Sequence, residues 1–136
     1  MAVIKELLRA EKDSLSFGDY SLESKSKLED FKWGSDVLKV KTFKEITRLE
    51  KNGSVVYESV PGTSVIDFKE TEEGLSFTVE GPEDAMITVG LAEDADYEVK
   101  VGDGDAWRMK TNLGGKLAVS VELAGAGGVD VVIRKV

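Results

Sequence analysis

The sequence predicts an all-β fold: an antiparallel β-sandwich of two packed sheets with about ten strands, folded as one domain over residues 1–136. Three observations lead to this prediction. Asn52-Gly53 stands between two apolar runs, which is the strongest short-range signal for a β-hairpin. Leu75, Phe77 and Val79 alternate with polar residues, as in a half-buried antiparallel strand. Similar segments recur downstream with Gly and Asp between them, and no alternation of strands with helices is visible.

The residue types that are missing limit the chemistry of the chain. At 136 residues, the chain is long enough to bury a sizeable core without covalent staples. It contains no cysteine, which excludes a disulfide framework, a thiolate zinc site and a cysteine nucleophile. It contains no histidine, which excludes imidazole metal sites and histidine-based catalytic triads. We therefore predict no cofactor and no metal site.

The first 22 residues allow two interpretations. The apolar residues between Val3 and Leu8 have the spacing of a short amphipathic helix. Alternatively, a turn at Lys12-Asp13 would pair Val3–Ala10 with Leu15–Leu22 as a hairpin, because the second segment alternates apolar residues with serine. We favour the hairpin.

The next two segments differ in character. Polar residues dominate Ser24–Gly34, which predicts a loop, with or without one helical turn. Val37–Phe43 predicts a strand, and both of its faces carry lysine as well as apolar residues. Lysines in such positions deter edge-to-edge pairing, so this strand is expected near the edge of a sheet.

The central stretch Ile46–Gly81 predicts two β-hairpins joined at Pro61-Gly62. Asn52-Gly53 closes the first hairpin, and Glu72-Glu73-Gly74 closes the second. In the second hairpin, the core side of one strand is formed by Leu75, Phe77 and Val79. We expect Ile66 and Phe68 to face them from the preceding strand.

Four more strands are predicted downstream of the second hairpin. Gly102–Asp105 and Gly114-Gly115 are turn signals, and residues 106–111 between them allow a further short strand with Trp107 and Met109 inward. The apolar residues that line the core side of the four strands are Ile87, Val89 and Leu91; Tyr97, Val99 and Val101; Leu117, Val119, Val121 and Leu123; and Val129, Val131 and Ile133.

The charge of the chain argues against binding to nucleic acid. Its 18 basic and 26 acidic residues give a net charge of −8, which repels phosphate unless basic residues are concentrated locally. The densest basic region is Ser24–Lys44, where acidic residues stand between the lysines. No segment reaches the roughly 20 apolar residues of a membrane span, and the N-terminus lacks the apolar core of a signal peptide. We expect a soluble, cytoplasmic protein.

Four residues are candidates for ligand binding. Trp33 stands in a polar segment beside Gly34, and Trp107 follows a glycine-rich turn, so both indoles can offer a flat apolar surface to a sugar. The alternative is that both indoles fill or seal the core. Asp103 and Asp105 have the spacing of a calcium loop, but the remaining oxygen ligands are absent, and a turn is the simpler interpretation.

Carboxylates along the predicted strands leave a third kind of chemistry open. A glycosidase needs two carboxyl groups about 5–9.5 Å apart across a sugar ring. Most of the acidic residues here, such as Glu58 and Glu98, alternate with apolar residues and are therefore expected on the wet outer face. The sequence cannot select a catalytic pair among them.

Part of the sequence resembles a known family. The run KTFKEITRLEKNG…VYESVPGT, together with FKETEEGLSFTVEGPEDA, YEVKV and KTNLGGKL, resembles a small family of gut Firmicutes proteins often labelled "endosialidase". The resemblance spans most of the chain. True endosialidases are long phage tail-spike proteins with a propeller catalytic domain, so the resemblance implies family membership and carries over no catalytic residue. Separately, Ile87–Val136 is similar to accessory β-sandwich modules of polysaccharide-active enzymes.

Three functions are compatible with these observations. We expect a non-catalytic structural or interaction domain, able to form homo-oligomers through an exposed edge, because function lies in a site and no catalytic motif is present. The first alternative is a carbohydrate-binding module, and the second is a carboxylate-dependent glycan hydrolase or lyase. The partner would then be a protein or a glycan. We expect the functional surface near Ser24–Gly34 or Gly102–Trp107, outside the central hairpins.

Overall fold

The computed structural model describes residues 3–136, which form thirteen β-strands and no α-helix. The strands are β1 (Leu8–Ala10), β2 (Leu15–Phe17), β3 (Ser26–Trp33), β4 (Asp36–Phe43), β5 (Ile46–Lys51), β6 (Ser54–Val60), β7 (Ser64–Thr71), β8 (Gly74–Glu80), β9 (Ala85–Gly90), β10 (Asp96–Val101), β11 (Trp107–Lys110), β12 (Lys116–Val121) and β13 (Val129–Lys135). No helix in this part of the chain is therefore available to span a membrane.

The strands form two antiparallel sheets. The seven-stranded sheet has the order β1-β2-β7-β8-β13-β10-β11, and the six-stranded sheet has the order β12-β9-β6-β5-β4-β3. The apolar inner faces of both sheets pack into one buried cluster. The predicted all-β sandwich is confirmed, with more strands than the sequence indicated.

Four aromatic rings join the two sheets at the centre of the core. Phe17 on β2 meets Tyr57 on β6 edge to face, with ring centroids 5.3 Å apart. Phe68 on β7 and Phe77 on β8 complete the group, and Phe77 lies 5.6 Å from Tyr57. Edge-to-face pairs add about 0.5–1.5 kcal/mol each beyond area burial. Because Tyr57 belongs to the six-stranded sheet and the phenylalanines to the other, these pairs hold the sheets together.

The two central hairpins form as predicted, but they lie in different sheets. β5 and β6 pair around Asn52-Gly53, both of which have positive φ. β7 and β8 pair around the second turn. The link at Pro61-Gly62 carries the chain from the six-stranded sheet to the seven-stranded sheet. A side chain at Gly62 would overlap the carbonyl of Phe43, so this crossover needs glycine.

The segment predicted as a loop, Ser24–Gly34, is instead dominated by the edge strand β3. Its pairing with β4 shifts register between Leu28 and Phe31, and Asp30 has a φ of 56°. The bulge brings Leu28, Phe31 and Trp33 against the core despite their irregular spacing. The loop prediction was wrong because the extra residue of the bulge interrupts the alternation of apolar and polar residues by which a strand is recognised.

A second bulge corrects the prediction for β7. Phe68 is buried as expected, but its inward neighbour is Val65, and Ile66 is partly exposed. The register shifts between Ile66 and Lys69, and Asp67 has a φ of 53°. An added residue reverses the side of the sheet that each side chain faces, so the expected pairing of Ile66 with the core was wrong.

The N-terminal hairpin forms, and the helix interpretation was wrong. β1 pairs with β2 from Leu8 opposite Phe17 to Ala10 opposite Leu15. The strands are shorter than predicted. β4 lies one strand inside the edge, because β3 covers it.

Candidate functional site

Trp33, the first predicted binding residue, contributes to packing. It ends β3, is half-buried, and contacts the core cluster. Its indole N–H donates a hydrogen bond of 3.0 Å to the carbonyl of Glu11, in the turn between β1 and β2. Trp33 therefore ties the edge of the six-stranded sheet to the edge of the seven-stranded sheet.

Trp107 is the more accessible of the two tryptophans. It begins β11, lies opposite Val99 and is 42% exposed, because β11 is the outermost strand of its sheet. Met109, which was also expected inward, is half-buried and packs against the core. Asp103 and Asp105 are exposed in the preceding turn.

The four predicted residues do not form a single site. The contact between Trp33 and Glu11 places β3 beside β1, whereas Trp107 lies at the opposite end of the seven-stranded sheet. Within residues 3–136, no group of three acidic side chains is arranged to hold a metal ion. Of the four predicted residues, only Asp103, Asp105 and Trp107 belong to one segment of the chain.

The outer face of the six-stranded sheet carries a row of apolar side chains. Phe43 on β4 lies opposite Ile46 on β5, and Val60 on β6 lies opposite Met86 on β9. The register that pairs residue 47 with residue 59 also places Ile46 beside Val60. Val60 is 55% exposed and Met86 is 48% exposed. We call these four residues the apolar row; Ser120 on β12 ends it.

A row of basic side chains lies next to the apolar row. Lys27 on β3 is opposite Lys41 on β4, which in turn is opposite Arg48 on β5. We call these three residues the cationic row. It lies two residues along β4 and β5 from the apolar row, which is a separation of about 6.8 Å. Each cation points away from the core, because its strand neighbours point inward.

The carboxylates on this face neutralise the cations only in part. Glu58 accepts two hydrogen bonds from Arg48, and Lys39 lies within 4 Å of Glu29 and Glu50. Among residues 3–136, neither Lys27 nor Lys41 has a carboxylate within ion-pair distance. This face of an acidic chain therefore carries two lysines, Lys27 and Lys41, whose charges no carboxylate of the described residues offsets at ion-pair distance.

The surroundings of Lys41 disfavour the charged form of its side chain. Partial burial lowers the pKa of Lys41, and the nearby charges of Arg48, Lys25, Lys27 and Lys39 lower it further. An anion placed over Lys41 would offset this repulsion. The cationic row has the electrostatics of an anion-binding surface.

A groove borders the far end of the same face. It encloses about 460 Å³ between the β3 bulge, the start of β4 and the turn at Asn52-Gly53. Its charged lining consists of Glu29, Asp30, Lys39 and Glu50. Three of these four are acidic, so the groove does not extend the cationic row.

Sequence reasoning missed both rows, although a weak signal was present. The spacing Lys-x-Lys occurs in SKSKL and again in LKVKT, which places pairs of lysines on one side of a strand. What the spacing lacks is the cross-strand register that sets Lys27, Lys41 and Arg48 side by side. Two acidic residues in or next to this region, Glu23 and Glu29, pair with Lys44 and Lys39 and not with the cationic row.

A cluster of buried hydroxyl groups lies inside the sandwich and has a structural role. Thr42 and Thr47 share a hydrogen bond of 2.8 Å, and Thr47 donates to the carbonyl of Thr63. The Thr63 hydroxyl bonds in turn to Tyr57 and Ser59, each at 2.8 Å. All five side chains are fully buried, and their hydroxyls satisfy one another. The cluster fixes the crossover at Thr63 to the six-stranded sheet and leaves no open site.

Comparison of the chain with known proteins found no matching family model, no matching curated protein and no matching solved structure. The resemblance to the proteins labelled endosialidase therefore stays a prediction.

Proposed function

We propose that this chain is a non-catalytic interaction domain whose binding surface is the outer face of the six-stranded sheet. The observation that carries the proposal is the adjacency of the apolar row and the cationic row on that face. Burial of exposed apolar side chains by a partner is favourable, because it removes their surface from water. Single exposed apolar residues are ordinary, but a contiguous row is typical of an interaction site.

The cationic row supports the same conclusion. Like charges placed directly opposite each other on neighbouring strands destabilise a sheet. Lys27, Lys41 and Arg48 nevertheless form such a row, in a chain with more acidic than basic residues. A binding role for these side chains accounts for an arrangement that folding alone disfavours.

Two carboxylates of the central hairpins are ion-pair partners of cations on β5. Glu58 lies 2.6 Å from Arg48, and Glu70 lies 2.7 Å from Lys51. A carboxylate engaged by a fixed cation is not aimed at a substrate, whereas a glycosidase needs two carboxyl groups that face each other across a sugar ring. These residues favour a binding surface over a hydrolase or lyase site.

Photo-crosslinking tests the proposal. Benzoylphenylalanine at position 120, beside Met86, should give a discrete adduct in extract of the cells that make the protein. The adduct should disappear when Val60 and Met86 are both changed to serine. The matched control carries the crosslinker at Lys100, which is exposed on the outer face of the other sheet. No adduct at position 120, or the same adducts at both positions, would contradict the proposal.

The second candidate function is carbohydrate binding, and the exposure of Trp107 is the observation that favours it. Its half-exposed indole follows the turn that carries the exposed Asp103 and Asp105, whose carboxylates are hydrogen-bond acceptors of the kind that sugar hydroxyls need. Titration with glycans should then change tryptophan fluorescence, and Trp107→Ala should abolish the change while Trp33→Phe retains it. A response that survives Trp107→Ala would exclude this site.

A further inference from the structure

The chemistry of the two rows specifies the kind of partner that fits them. The cationic row requires negative charge, and the apolar row requires apolar side chains, about 6.8 Å away on the same face. We infer that the outer face of the six-stranded sheet binds an acidic amphipathic protein segment, with carboxylates over Lys27 and Lys41 and apolar side chains over the apolar row. This inference rests on the proposed function and names its partner class.

The composition of the apolar row favours a protein over a sugar. Ile46, Val60 and Met86 are aliphatic, and methionine is a flexible, polarisable side chain that adapts to other apolar side chains. The row offers one aromatic ring, Phe43, which is half-buried. An aliphatic surface complements leucine-like side chains better than the polar rim of a saccharide.

The dimensions of the rows match a short segment. From β4 to β9 the apolar row crosses three strand gaps of about 4.8 Å, which totals roughly 14 Å. The cationic row crosses two gaps, from β3 to β5. A helix of about ten residues covers 14 Å and can present acidic and apolar side chains on adjacent strips.

Charge complementarity also speaks against a nucleic acid. Phosphates would engage the cations, but nucleobases stack on aromatic side chains, and the apolar row offers only the half-buried ring of Phe43. Glu58, which is hydrogen-bonded to Arg48, adds a negative charge at one end of the cationic row and repels a continuous polyanion. A segment with discrete carboxylates can place them over Lys27 and Lys41 and avoid Glu58.

Fluorescence anisotropy with designed peptides tests the inference. The probe is a fluorescein-labelled 15-residue peptide in which glutamate and leucine occupy adjacent helical faces. We expect saturable binding that weakens about tenfold with Lys41→Glu and about tenfold with Met86→Ser. Lys100→Glu, an equivalent charge reversal on the other sheet, should leave the affinity unchanged. Binding should also weaken as salt concentration rises.

The variants retain the fold for a physical reason. Lys41→Glu replaces repulsion by attraction to Lys27 and Arg48, and Met86 is half-exposed, so neither change opens the core. Circular dichroism and urea unfolding verify this for each variant.

Three outcomes would overturn the inference. One is equal binding of the peptide in which lysine replaces glutamate. Another is insensitivity of binding to Lys41→Glu and Met86→Ser. The third is tighter binding of a sulfated oligosaccharide or a single-stranded oligonucleotide, with the same sensitivity to the variants.

If the crosslink at position 120 persists while the acidic peptide fails, the interaction surface stands and only the partner class is wrong. If neither the crosslink nor the peptide signal appears, the proposed function fails together with the inference.

Discussion

The buried tyrosines differ in what their hydroxyls contact. Tyr57 is fully buried, and its hydroxyl shares a hydrogen bond of 2.8 Å with Thr63. Tyr20 is 5% exposed, and its hydroxyl has no hydrogen-bond partner among residues 3–136. A hydrogen-bonded buried hydroxyl stabilises a fold, whereas an unpartnered one costs its desolvation free energy. Replacing tyrosine by phenylalanine should therefore destabilise the fold at position 57 but not at position 20.

We expect Tyr57→Phe to lower the free energy of unfolding by about 0.5–1.5 kcal/mol, because one hydrogen bond of the buried cluster is lost. Tyr20→Phe should leave that free energy unchanged or raise it by about 1 kcal/mol, since only an unpaired polar atom is removed. Urea unfolding followed by circular dichroism measures both. A larger loss for Tyr20→Phe than for Tyr57→Phe would be inconsistent with these contacts.

Tyr57 also predicts how stability changes at alkaline pH. Burial raises the pKa of Tyr57 well above that of an exposed tyrosine, while the hydrogen bonds from Thr63 and Ser59 oppose the shift. In the unfolded chain the phenol ionises near pH 10, at about its ordinary pKa. The raised folded-state pKa contributes stability that is complete below pH 10 and is lost as the pH rises above it.

The free energy of unfolding should therefore decline above about pH 10. The decline should be shallower in Tyr57→Phe, which has no phenol to ionise at this position. Urea titrations between pH 8 and pH 11 give the slope, and identical slopes in both proteins would show that Tyr57 does not control it.

Among the elements, β3 and β7 show the limits of reading strands from alternation. Each contains a bulge with an aspartate at positive φ, Asp30 in β3 and Asp67 in β7. Aspartate tolerates this conformation better than most residues, so Asp30 and Asp67 were weak signals within segments of irregular pattern. The regular strands β9, β10, β12 and β13 could be predicted, because none of their pairings with neighbouring strands shifts register.

The start of β8 illustrates a close approach between elements. Gly74 was predicted as part of the second hairpin turn. Its φ of 152° is one that residues with a side chain rarely adopt. A Cβ at this position would overlap the carbonyl of Ile133 on the neighbouring strand β13. Gly53, by contrast, has a φ of 84° with open space around it.

Alanine at these two glycines separates backbone strain from overlap. Gly53→Ala should lower the free energy of unfolding by about 1 kcal/mol, which is the cost of positive φ alone. Gly74→Ala should cost about 1–3 kcal/mol more, because β13 must move away. Thermal and urea unfolding of both variants measure the difference. Equal losses would mean that β8 and β13 adjust freely at this point.

At the scale of the whole molecule, Trp33 helps to close one edge of the sandwich. Trp33 packs against the core and donates a hydrogen bond to Glu11, so β3 and the β1–β2 turn are held together. Trp107 stands at the other end of the seven-stranded sheet and is half-exposed. The two tryptophans therefore differ in their contribution to the fold, and the sequence-based expectation that Trp33 is the better candidate for exposure was wrong.

We expect Trp33→Phe to lower the free energy of unfolding by about 1 kcal/mol, since the hydrogen bond between the sheets is lost. Trp107→Phe, the matched control, should change it by less than about 0.5 kcal/mol, as is usual for surface substitutions. Urea unfolding measures both, and quenching by iodide should reach Trp107 more readily than Trp33. A larger loss for Trp107→Phe would contradict the assignment of the bridge.

The sequence by itself determined the all-β class, both central hairpins and most of the buried apolar residues. These features depend on neighbours in the chain: turn residues that accept positive φ, and alternation along one strand. Only the tertiary structure decided that the hairpins belong to different sheets, that Ser24–Gly34 forms an edge strand, and that Lys27, Lys41 and Arg48 lie side by side. The physical reason is register. The position of a side chain relative to the next strand depends on bulges and pairings between distant segments, which local patterns do not record.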